Sequence, residues 1–353
     1  MQTGILRDDA FLNHCAAGYH PEQSSRLSVI YRELDARQLT AKTKKVSARK
    51  ATDEEILKVH SIDYLNKLKK MLPGGRGHLD LDTFFSPGTW EAALLAAGGT
   101  AELVSQIMEG TLDNGAAFVR PPGHHATPDR SMGFCILNNI AIATKTAFTK
   151  GAKRVAIIDW DLHHGNGTQD AFYEDPDVLY ISTHMSPFFP GTGDYTETGS
   201  KKGFGYNINI PMPPRSGRDE FHEAFSRIIL PVLEQFDPCI ILVSCGFDAH
   251  VSDPIGALEL ETNDFKLINH WIMEKAAQLC QNKLALVLEG GYDLNTLGCV
   301  SAILVEDLLG DTHSSDKNNP QPNPNNIQVT LSKSLISPTI VKLSSLLSQK
   351  WKL

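Results

Sequence analysis

The sequence lacks the features that mark several protein classes. Its six cysteines are scattered, with no CxxC pair or regular spacing, so neither a disulfide-rich fold nor a cysteine-based metal site is expected. No stretch approaches the roughly 18 consecutive apolar residues of a membrane-spanning helix. The first ten residues are polar and charged, without the apolar core of a signal peptide. We therefore expect a cytoplasmic, soluble protein with no membrane association.

Positive charge is also scarce. The chain has 33 lysines and arginines against 41 aspartates and glutamates, which gives a net charge of −8. A nucleic-acid-binding protein needs a basic surface for the phosphates, so direct nucleic-acid binding is not expected. The 353 residues, 41% of them hydrophobic, suffice for one large domain or two ordinary ones. Composition does not determine the oligomeric state and is compatible with a homo-oligomer.

Short apolar segments alternate with longer helical ones along the chain. Five segments are typical of buried strands, at residues 116–118, 155–158, 178–181, 240–243 and 285–288. Four have the length and periodicity of helices, at residues 90–108, 138–148, 219–236 and 264–281. Pro231 is expected to kink or interrupt the third helix. The alternation predicts an α/β fold with a central, mainly parallel sheet flanked by helices.

Ionisable residues concentrate where one predicted strand ends. Residues 155–158 run directly into Asp159, Asp161 and His163. Alternate side chains of an extended chain share a face, so these three point the same way. Burying them is costly unless they are paired or hold a metal. Asp161 and His163 are therefore candidate ligands of a divalent cation, and a buried Asp–His network without metal is the alternative.

A third ligand must come from another segment. Asp248 follows the predicted strand at 240–243 and is the best candidate, although an aspartate after Gly-Phe is also common in ordinary loops. Three protein ligands with one open position is the arrangement of catalytic rather than structural zinc.

Two adjacent histidines follow the stiff Arg-Pro-Pro-Gly segment at residues 120–123. The prolines and the glycine present His124 and His125 in a fixed orientation. Each imidazole needs a partner for its second ring nitrogen, and Asp159 and Asn166 are natural candidates. One charged and one neutral partner would separate the two pKa values and hence the two roles. Histidine pairs are otherwise common at surfaces and in satisfied cores.

Aromatic residues in glycine-rich loops admit two interpretations. Tyr292 follows the predicted strand at 285–288, where its phenol could donate a hydrogen bond to a developing oxyanion or belong to an ordinary turn. The aromatic loops with Gly133 and Phe134 and with Phe188 and Phe189 are either core fillers or the wall of a narrow apolar channel.

Together these motifs resemble the zinc-dependent histone deacetylase family, especially class II and its bacterial relatives, over about residues 14–309. Asn166, where class I members have aspartate, and Glu289 favour class II. The matching segments are residues 20–22 (HPE), 26–27 (RL), 120–125 (RPPGHH), 133–135 (GFC), 138–139 (NN), 159–167 (DWDLHHGNG), 189–193 (FPGTG), 246–250 (GFDAH), 253–254 (DP) and 288–292 (LEGGY).

The resemblance implies a single arginase/deacetylase-like α/β domain at residues 1–310. By position, it implies that the zinc ligands are Asp161, His163 and Asp248. It implies that His125 is the general base and later protonates the leaving amine. His124, paired with Asp159, would give electrostatic support, and Tyr292 would hold the oxyanion together with zinc.

The resemblance also implies a substrate channel, which Phe134 and Phe189 flank and to which Gly133 and Ile255 contribute. Ile255 is apolar where polyamine-selective relatives carry an acidic residue, which disfavours polyamine substrates.

A structural potassium is a further implication of the resemblance. Its ligands would be Asp159, Ser182 and Thr183 together with main-chain oxygens nearby, and a second potassium would lie near Phe172.

The C-terminal part differs in composition. Residues 311–326 are polar and broken by prolines, which predicts a flexible linker. Residues 327–353 form a segment of unknown role for which we expect a short amphipathic helix packed on the domain.

We therefore expect a zinc-dependent hydrolase that removes acetyl or related acyl groups from lysine side chains of a peptide. One alternative is a deacetylase of acetylpolyamines or another small acylated amine. Another is a weakly active scaffold that binds acyl-lysine. Tyr292 argues against the scaffold, because a weakly active subgroup of the family has histidine there.

Overall fold

The computed structural model describes residues 1–310 and 337–353; the predicted linker and the start of the C-terminal segment lie outside these residues. Within the described part the strands are β1 (Thr3–Leu6), β2 (Lys44–Val46), β3 (Gly77–His78), β4 (Phe84–Phe85), β5 (Asn114–Ala117), β6 (Val155–Asp159), β7 (Val178–Met185), β8 (Asn207–Met212), β9 (Ile240–Cys245) and β10 (Leu284–Leu288).

The α-helices in the same part of the chain are α1 (Ser25–Ala36), α2 (Leu39–Lys42), α3 (Asp53–Leu57), α4 (Ile62–Met71), α5 (Thr89–Met108), α6 (Asn139–Thr149), α7 (Asn166–Phe172), α8 (Arg218–Ala224), α9 (Leu230–Phe236), α10 (Thr262–Cys280), α11 (Leu294–Leu308) and α12 (Pro338–Leu347). Short 3₁₀ turns are formed by Asp9–Asn13 and Lys201–Gly203. None of the described helices is long and apolar enough to cross a bilayer.

Eight of these strands form one parallel sheet in the order β2-β1-β5-β10-β9-β6-β7-β8. The short strands β3 and β4 pair separately and antiparallel. The central strands β6, β9 and β10 are buried along their whole length, as expected of a parallel sheet covered on both faces. The α/β fold with a parallel sheet flanked by helices is confirmed.

Pro231 interrupts its helix as predicted. The expected helix at 219–236 is divided into α8, a π-helical turn at Phe225–Ile229, and α9. Pro231 lies at the start of α9, and the main-chain N–H of Leu230 donates to the Phe225 carbonyl. The wider turn accommodates a residue that has no N–H of its own to donate.

The carboxyl ends of β5, β10, β9 and β6 lie side by side at one edge of the sheet. Their register keeps the ends level: Asp159 pairs with Ser244, and Cys245 pairs with Leu288. Loops that follow these strands therefore leave the sheet at the same edge, which is where parallel sheets bind ligands.

The described part of the C-terminal segment packs on the domain near the outer strand β8. Helix α12 buries Ile340, Leu343 and Leu347 in the main hydrophobic core. Beyond it, the Trp351 indole N–H donates to the Gly205 carbonyl at 2.7 Å. The segment thus contains the amphipathic helix that the sequence predicts.

Candidate active site

The first group at this edge of the sheet is a buried Asp–His–Asp cluster. Asp161 and His163 follow β6, and Asp248 follows β9. One potential ligand atom from each lies within 4.8 Å of the other two. The His163 Nδ1 atom is 3.1 Å from Asp161 Oδ1 and 3.1 Å from Asp248 Oδ2. The structure therefore brings together the three residues that the sequence suggested as metal ligands.

Main-chain groups orient both carboxylates. The Gly290 N–H donates to Asp161 Oδ2 at 2.8 Å, and the Leu162 N–H donates to Asp248 Oδ1 at 2.9 Å. A Cβ atom on Gly290 would lie 2.1 Å from Asp248 Oδ2, and one on Gly246 would lie 2.0 Å from Asp161 Oδ2. Only glycine lets these two strand ends approach the carboxylates so closely.

The charge of this cluster suits a divalent cation. Burial alone would lower the pKa of His163, but the carboxylates of Asp161 and Asp248 outweigh it and raise the pKa to about 9. Burial and the charge of Asp161 raise the pKa of Asp248. The site therefore attracts positive charge, and an oxygen–nitrogen–oxygen donor set is one that zinc accepts. The residues present fit a zinc ion.

Two adjacent histidines lie beside the cluster, with ring centroids 4.1 Å apart and ring planes tilted by 47°. His124 Nδ1 is 3.1 Å from Asp159 Oδ2, which also accepts from the Tyr180 hydroxyl at 3.0 Å. His125 Nδ1 is 2.8 Å from Asn166 Oδ1. Both partner oxygens accept, so each histidine donates through Nδ1 and turns Nε2 away from its partner.

The two imidazoles differ in charge. Burial alone would lower the pKa of His124, but the carboxylates of Asp161 and Asp159 outweigh it and raise the pKa to about 10. Burial lowers the pKa of His125 well below its usual value, and positive charge on His124 and His163 adds to the effect. Near neutral pH, His124 is therefore a cation, and His125 is neutral with a free lone pair on Nε2.

A cleft of about 230 Å³ leads from the surface to these groups. The channel residues expected from the sequence, which are Gly133, Phe134, Phe189 and Ile255, all line it, together with Tyr292. The Phe189 and His125 rings lie 5.2 Å apart and nearly perpendicular, and the Phe134 and Tyr292 rings lie 6.1 Å apart in the same manner. Aromatic edges and faces therefore wall a narrow passage.

Phe188, which lies in the same aromatic loop as Phe189, also contributes to the cleft wall. Its ring stacks on His163 at 5.4 Å with an interplanar angle of 27°. Phe188 directly precedes Phe189, and both residues line the cleft.

Asp253 holds the main chain around Tyr292. One carboxylate oxygen accepts from the Tyr292 N–H at 2.6 Å and from the Asp293 N–H at 3.3 Å, and the other accepts from the Ile255 N–H at 3.0 Å. The guanidinium of Arg26 lies over the Tyr292 ring, 5.0 Å from its centroid. Withdrawal from water raises the pKa of Tyr292 well above its usual value, so the phenol keeps its proton.

We expect Asp253→Ala to lower the free energy of unfolding by about 1–3 kcal/mol, because three main-chain donors lose their shared carboxyl acceptor. Denaturant unfolding measures the change. The exposed neighbour Ser252→Ala is the control, with an expected change of about 0.5 kcal/mol or less. An Asp253→Ala protein as stable as the control would contradict the anchoring role.

A buried ionic cluster behind the cleft was missed by the sequence analysis. Glu22 accepts from Arg26 at 3.2 Å and from Arg120 Nη2 at 2.7 Å, with all three side chains fully buried. Burial opposes ionisation of Glu22, but Arg120 and His14 outweigh it and hold its pKa well below the usual value. Glu22 and Arg26 are four residues apart, which was a usable signal, whereas the pairing with Arg120 spans 98 residues.

The residues expected to bind potassium lie on neighbouring strands. Asp159 pairs with Ser182 across β6 and β7, and the Thr183 hydroxyl donates to the Asp159 carbonyl at 3.4 Å. A potassium site there stays a prediction.

His164, for which the sequence indicated no role, forms a hydrogen bond between its Nδ1 atom and the Thr192 hydroxyl, 2.8 Å apart.

Comparisons with known proteins agree on one family. A model of the histone deacetylase domain matches residues 20–308. The chain is 39% identical to the histone deacetylase-like amidohydrolase of Pseudomonas aeruginosa over 299 residues, which cover 84% of this chain and 78% of that protein. It is 38% identical to the chloroplastic histone deacetylase 14 of Arabidopsis thaliana over 320 residues, covering 85% and 76%. The crystal structure of the HDA15 HD domain superposes with a TM-score of 0.90 at 32% identity, covering 99% of this chain and 95% of that one.

Proposed function

Because this chain belongs to the histone deacetylase family, we propose that it is a zinc-dependent amidohydrolase that removes acetyl or related acyl groups from lysine side chains. The observation that carries the proposal is one cleft in which a buried Asp–His–Asp cluster, a neutral histidine and a phenol converge. These are the parts that amide hydrolysis by water requires: an electrophile, a base and an oxyanion donor.

Zinc would be held by Asp161, His163 and Asp248, and when bound it would polarise the amide carbonyl and acidify a water molecule. The protein contributes to metal binding by orienting the ligand side chains. The Gly290 and Leu162 N–H groups fix the two carboxylates before any metal arrives. Such outer hydrogen bonds set ligand direction and strengthen metal binding.

His125 would take a proton from the attacking water at Nε2 and later deliver it to the leaving amine. Asn166 supports this role, because its oxygen accepts the Nδ1 proton and leaves Nε2 as the basic atom. The low pKa of His125 keeps it unprotonated until the reaction begins. The neighbouring cation His124, fixed by Asp159, would stabilise the negative charge that develops.

Tyr292 would donate a hydrogen bond from its phenolic hydroxyl to the oxyanion of the tetrahedral intermediate. A donor that is already in place needs no reorganisation during the reaction. Asp253 supports this function by fixing the main chain of Tyr292, and Arg26 supports it by packing on the ring.

The shape of the cleft supports a slender aliphatic chain as the part of the substrate that enters it. Phe134 and Phe189 are aromatic, and a Cβ atom on Gly133 would lie 2.4 Å from His125 Cδ2 and 3.0 Å from the Phe189 ring. Position 133 on the passage wall therefore has no room for a side chain larger than that of glycine. An acyl-lysine side chain, four methylenes ending in an amide, has suitable dimensions and polarity.

Turnover of an acetyl-lysine peptide tests the proposal. We expect the untreated protein to release acetate, chelation to abolish the activity, and stoichiometric zinc to restore it. Acetylated spermidine, tested in parallel, separates the small-amine alternative, which would be favoured if it were turned over more efficiently than the peptide. Peptide binding without turnover at full zinc occupancy would instead support the scaffold alternative.

Ile255 offers a prediction about substrate choice. A carboxylate at this position on the cleft wall would attract the second ammonium of an acetylated polyamine. We expect Ile255→Glu to raise kcat/KM for acetylspermidine relative to the peptide by about two- to fivefold, equivalent to a surface ion pair of about 0.4–1 kcal/mol. Ile255→Gln, similar in size but uncharged, is the matched control, and an equal rise in both variants would contradict an electrostatic effect.

A further inference from the structure

One buried carboxyl group at the edge of the sheet has no part in the chemistry described so far. Glu289, at the end of β10, is fully buried. Assuming the proposed function, we propose that Glu289 is a positioning residue that fixes the main chain carrying His124 and His125 through its two hydrogen-bond-accepting oxygens.

Its hydrogen bonds define the role. Glu289 Oε2 accepts from the Gly123 N–H at 2.7 Å and from the His124 N–H at 3.1 Å. Glu289 Oε1 accepts from the Ser244 hydroxyl at 3.2 Å. Two consecutive main-chain donors beside the catalytic pair therefore converge on one oxygen, and a neighbouring strand fixes the other oxygen.

The same short stretch also holds the remaining parts of the site. The Glu289 main-chain carbonyl accepts from Arg26 Nη2 at 2.6 Å, and Arg26 packs on the Tyr292 ring. The next residue, Gly290, donates to Asp161. Because β5 and β10 are neighbours, Glu289 links the loop that carries the histidines to the turn that carries the phenol.

Loss of this acceptor would change the position of the two histidines. The Gly123 and His124 N–H groups are enclosed, so an apolar side chain at position 289 leaves two donors unsatisfied. The loop would have to shift to find other partners. A displacement of about 1 Å is enough to lower a catalytic rate on the order of 100-fold.

The positioning role needs a hydrogen-bond acceptor at position 289 and no negative charge, and Glu289→Gln tests this difference directly. In Glu289→Gln, the amide oxygen can accept both N–H groups, and the amide nitrogen can donate to the Ser244 hydroxyl, which then accepts. Glu289→Leu has similar volume but no polar atom. Ser244→Ala keeps Glu289 and removes only the bond to Oε1.

We would measure kcat and KM on the acetyl-lysine peptide, together with zinc content, for the zinc-loaded wild type and the three variants. We expect Glu289→Leu to lower kcat about 100-fold with KM and zinc content little changed. Glu289→Gln should stay within about threefold of the wild type, and Ser244→Ala should lower kcat about three- to tenfold. A glutamine variant as poor as the leucine variant, or a fully active leucine variant, would overturn the proposal. If Glu289→Leu does not fold, a loss in kcat of about 100-fold in Glu289→Gln, or an unchanged kcat in Ser244→Ala, overturns the proposal.

A second readout does not depend on turnover. In histidine-labelled protein, the Nδ1–H resonance of His124, which reports its hydrogen bond to Asp159, should be unchanged in Glu289→Gln. In Glu289→Leu it should shift or disappear. If the wild type does not turn over the peptide, the proposed function fails while this comparison still tests the positioning role. An unshifted His124 resonance in a folded Glu289→Leu protein would refute that role alone.

Discussion

Replacing His125 with alanine is expected to lower kcat by about 10³- to 10⁴-fold, because general acid–base catalysis contributes about 10²–10⁴-fold and His125 would act in both proton transfers. His125 is the neutral histidine of the pair, and its Nε2 atom is the free basic position. Steady-state kinetics on the acetyl-lysine peptide, with zinc content measured in parallel, provides the test.

The matched comparison is His124→Ala, for which we expect a loss of about 10- to 100-fold. His124 is positively charged and already donates to Asp159, so it supplies electrostatic stabilisation and no basic lone pair. One charged hydrogen-bonding partner is worth about 1.5–3 kcal/mol, which corresponds to this smaller factor. Equal losses in the two variants, or a larger loss for His124→Ala, would reverse the assignment of roles.

Removing the Tyr292 hydroxyl is expected to lower kcat by about 10²- to 10³-fold with little change in KM, because one oxyanion donor contributes about 2.7–4 kcal/mol to the transition state alone. Tyr292→Phe keeps the features that position the ring. The Tyr292 N–H still donates to Asp253, and the guanidinium of Arg26 still packs on the aromatic face. The loss in activity therefore reports the hydroxyl and not a displaced loop.

The control for this variant is Tyr19→Phe, since Tyr19 is 90% exposed and its hydroxyl lies in water. Its activity and stability should equal those of the wild type. Full activity in Tyr292→Phe would remove the oxyanion role, and the mechanism would then need another donor in the cleft.

Local sequence patterns predicted most of the central sheet and the helices α5, α6 and α8 to α10, but not α1, α4 or α11. The strands β6, β7, β9 and β10 contain short apolar runs, which are typical of strands buried on both faces and are visible in the sequence. Strands β1, β2 and β8 were not predicted. The first two are three or four residues long, and β8 contains Pro211, so neighbouring strands rather than their own patterns determine them.

The sequence by itself determined the local part of the site. The spacing of Asp161 and His163 predicted that they share one site, although the strand ends at Asp159 and both residues lie in a bend beyond it. The Arg-Pro-Pro-Gly segment predicted a fixed histidine pair. Both inferences needed only neighbouring residues, because backbone geometry relates the side chains over two or three positions.

Only the tertiary structure decided which ionisable and polar groups of distant segments pair with each other. The sequence suggested Asp248 as a third ligand, but the fold places it 3.1 Å from His163, 85 residues away. Glu289 accepts a hydrogen bond from the His124 N–H, which is 165 residues away and was not predicted. The buried pairing of Glu22 with Arg120 is a contact of the same kind. Which strands become neighbours follows from burying the whole sheet at once. A buried carboxylate then takes whatever donor that arrangement brings within about 3 Å, a choice that no local pattern encodes.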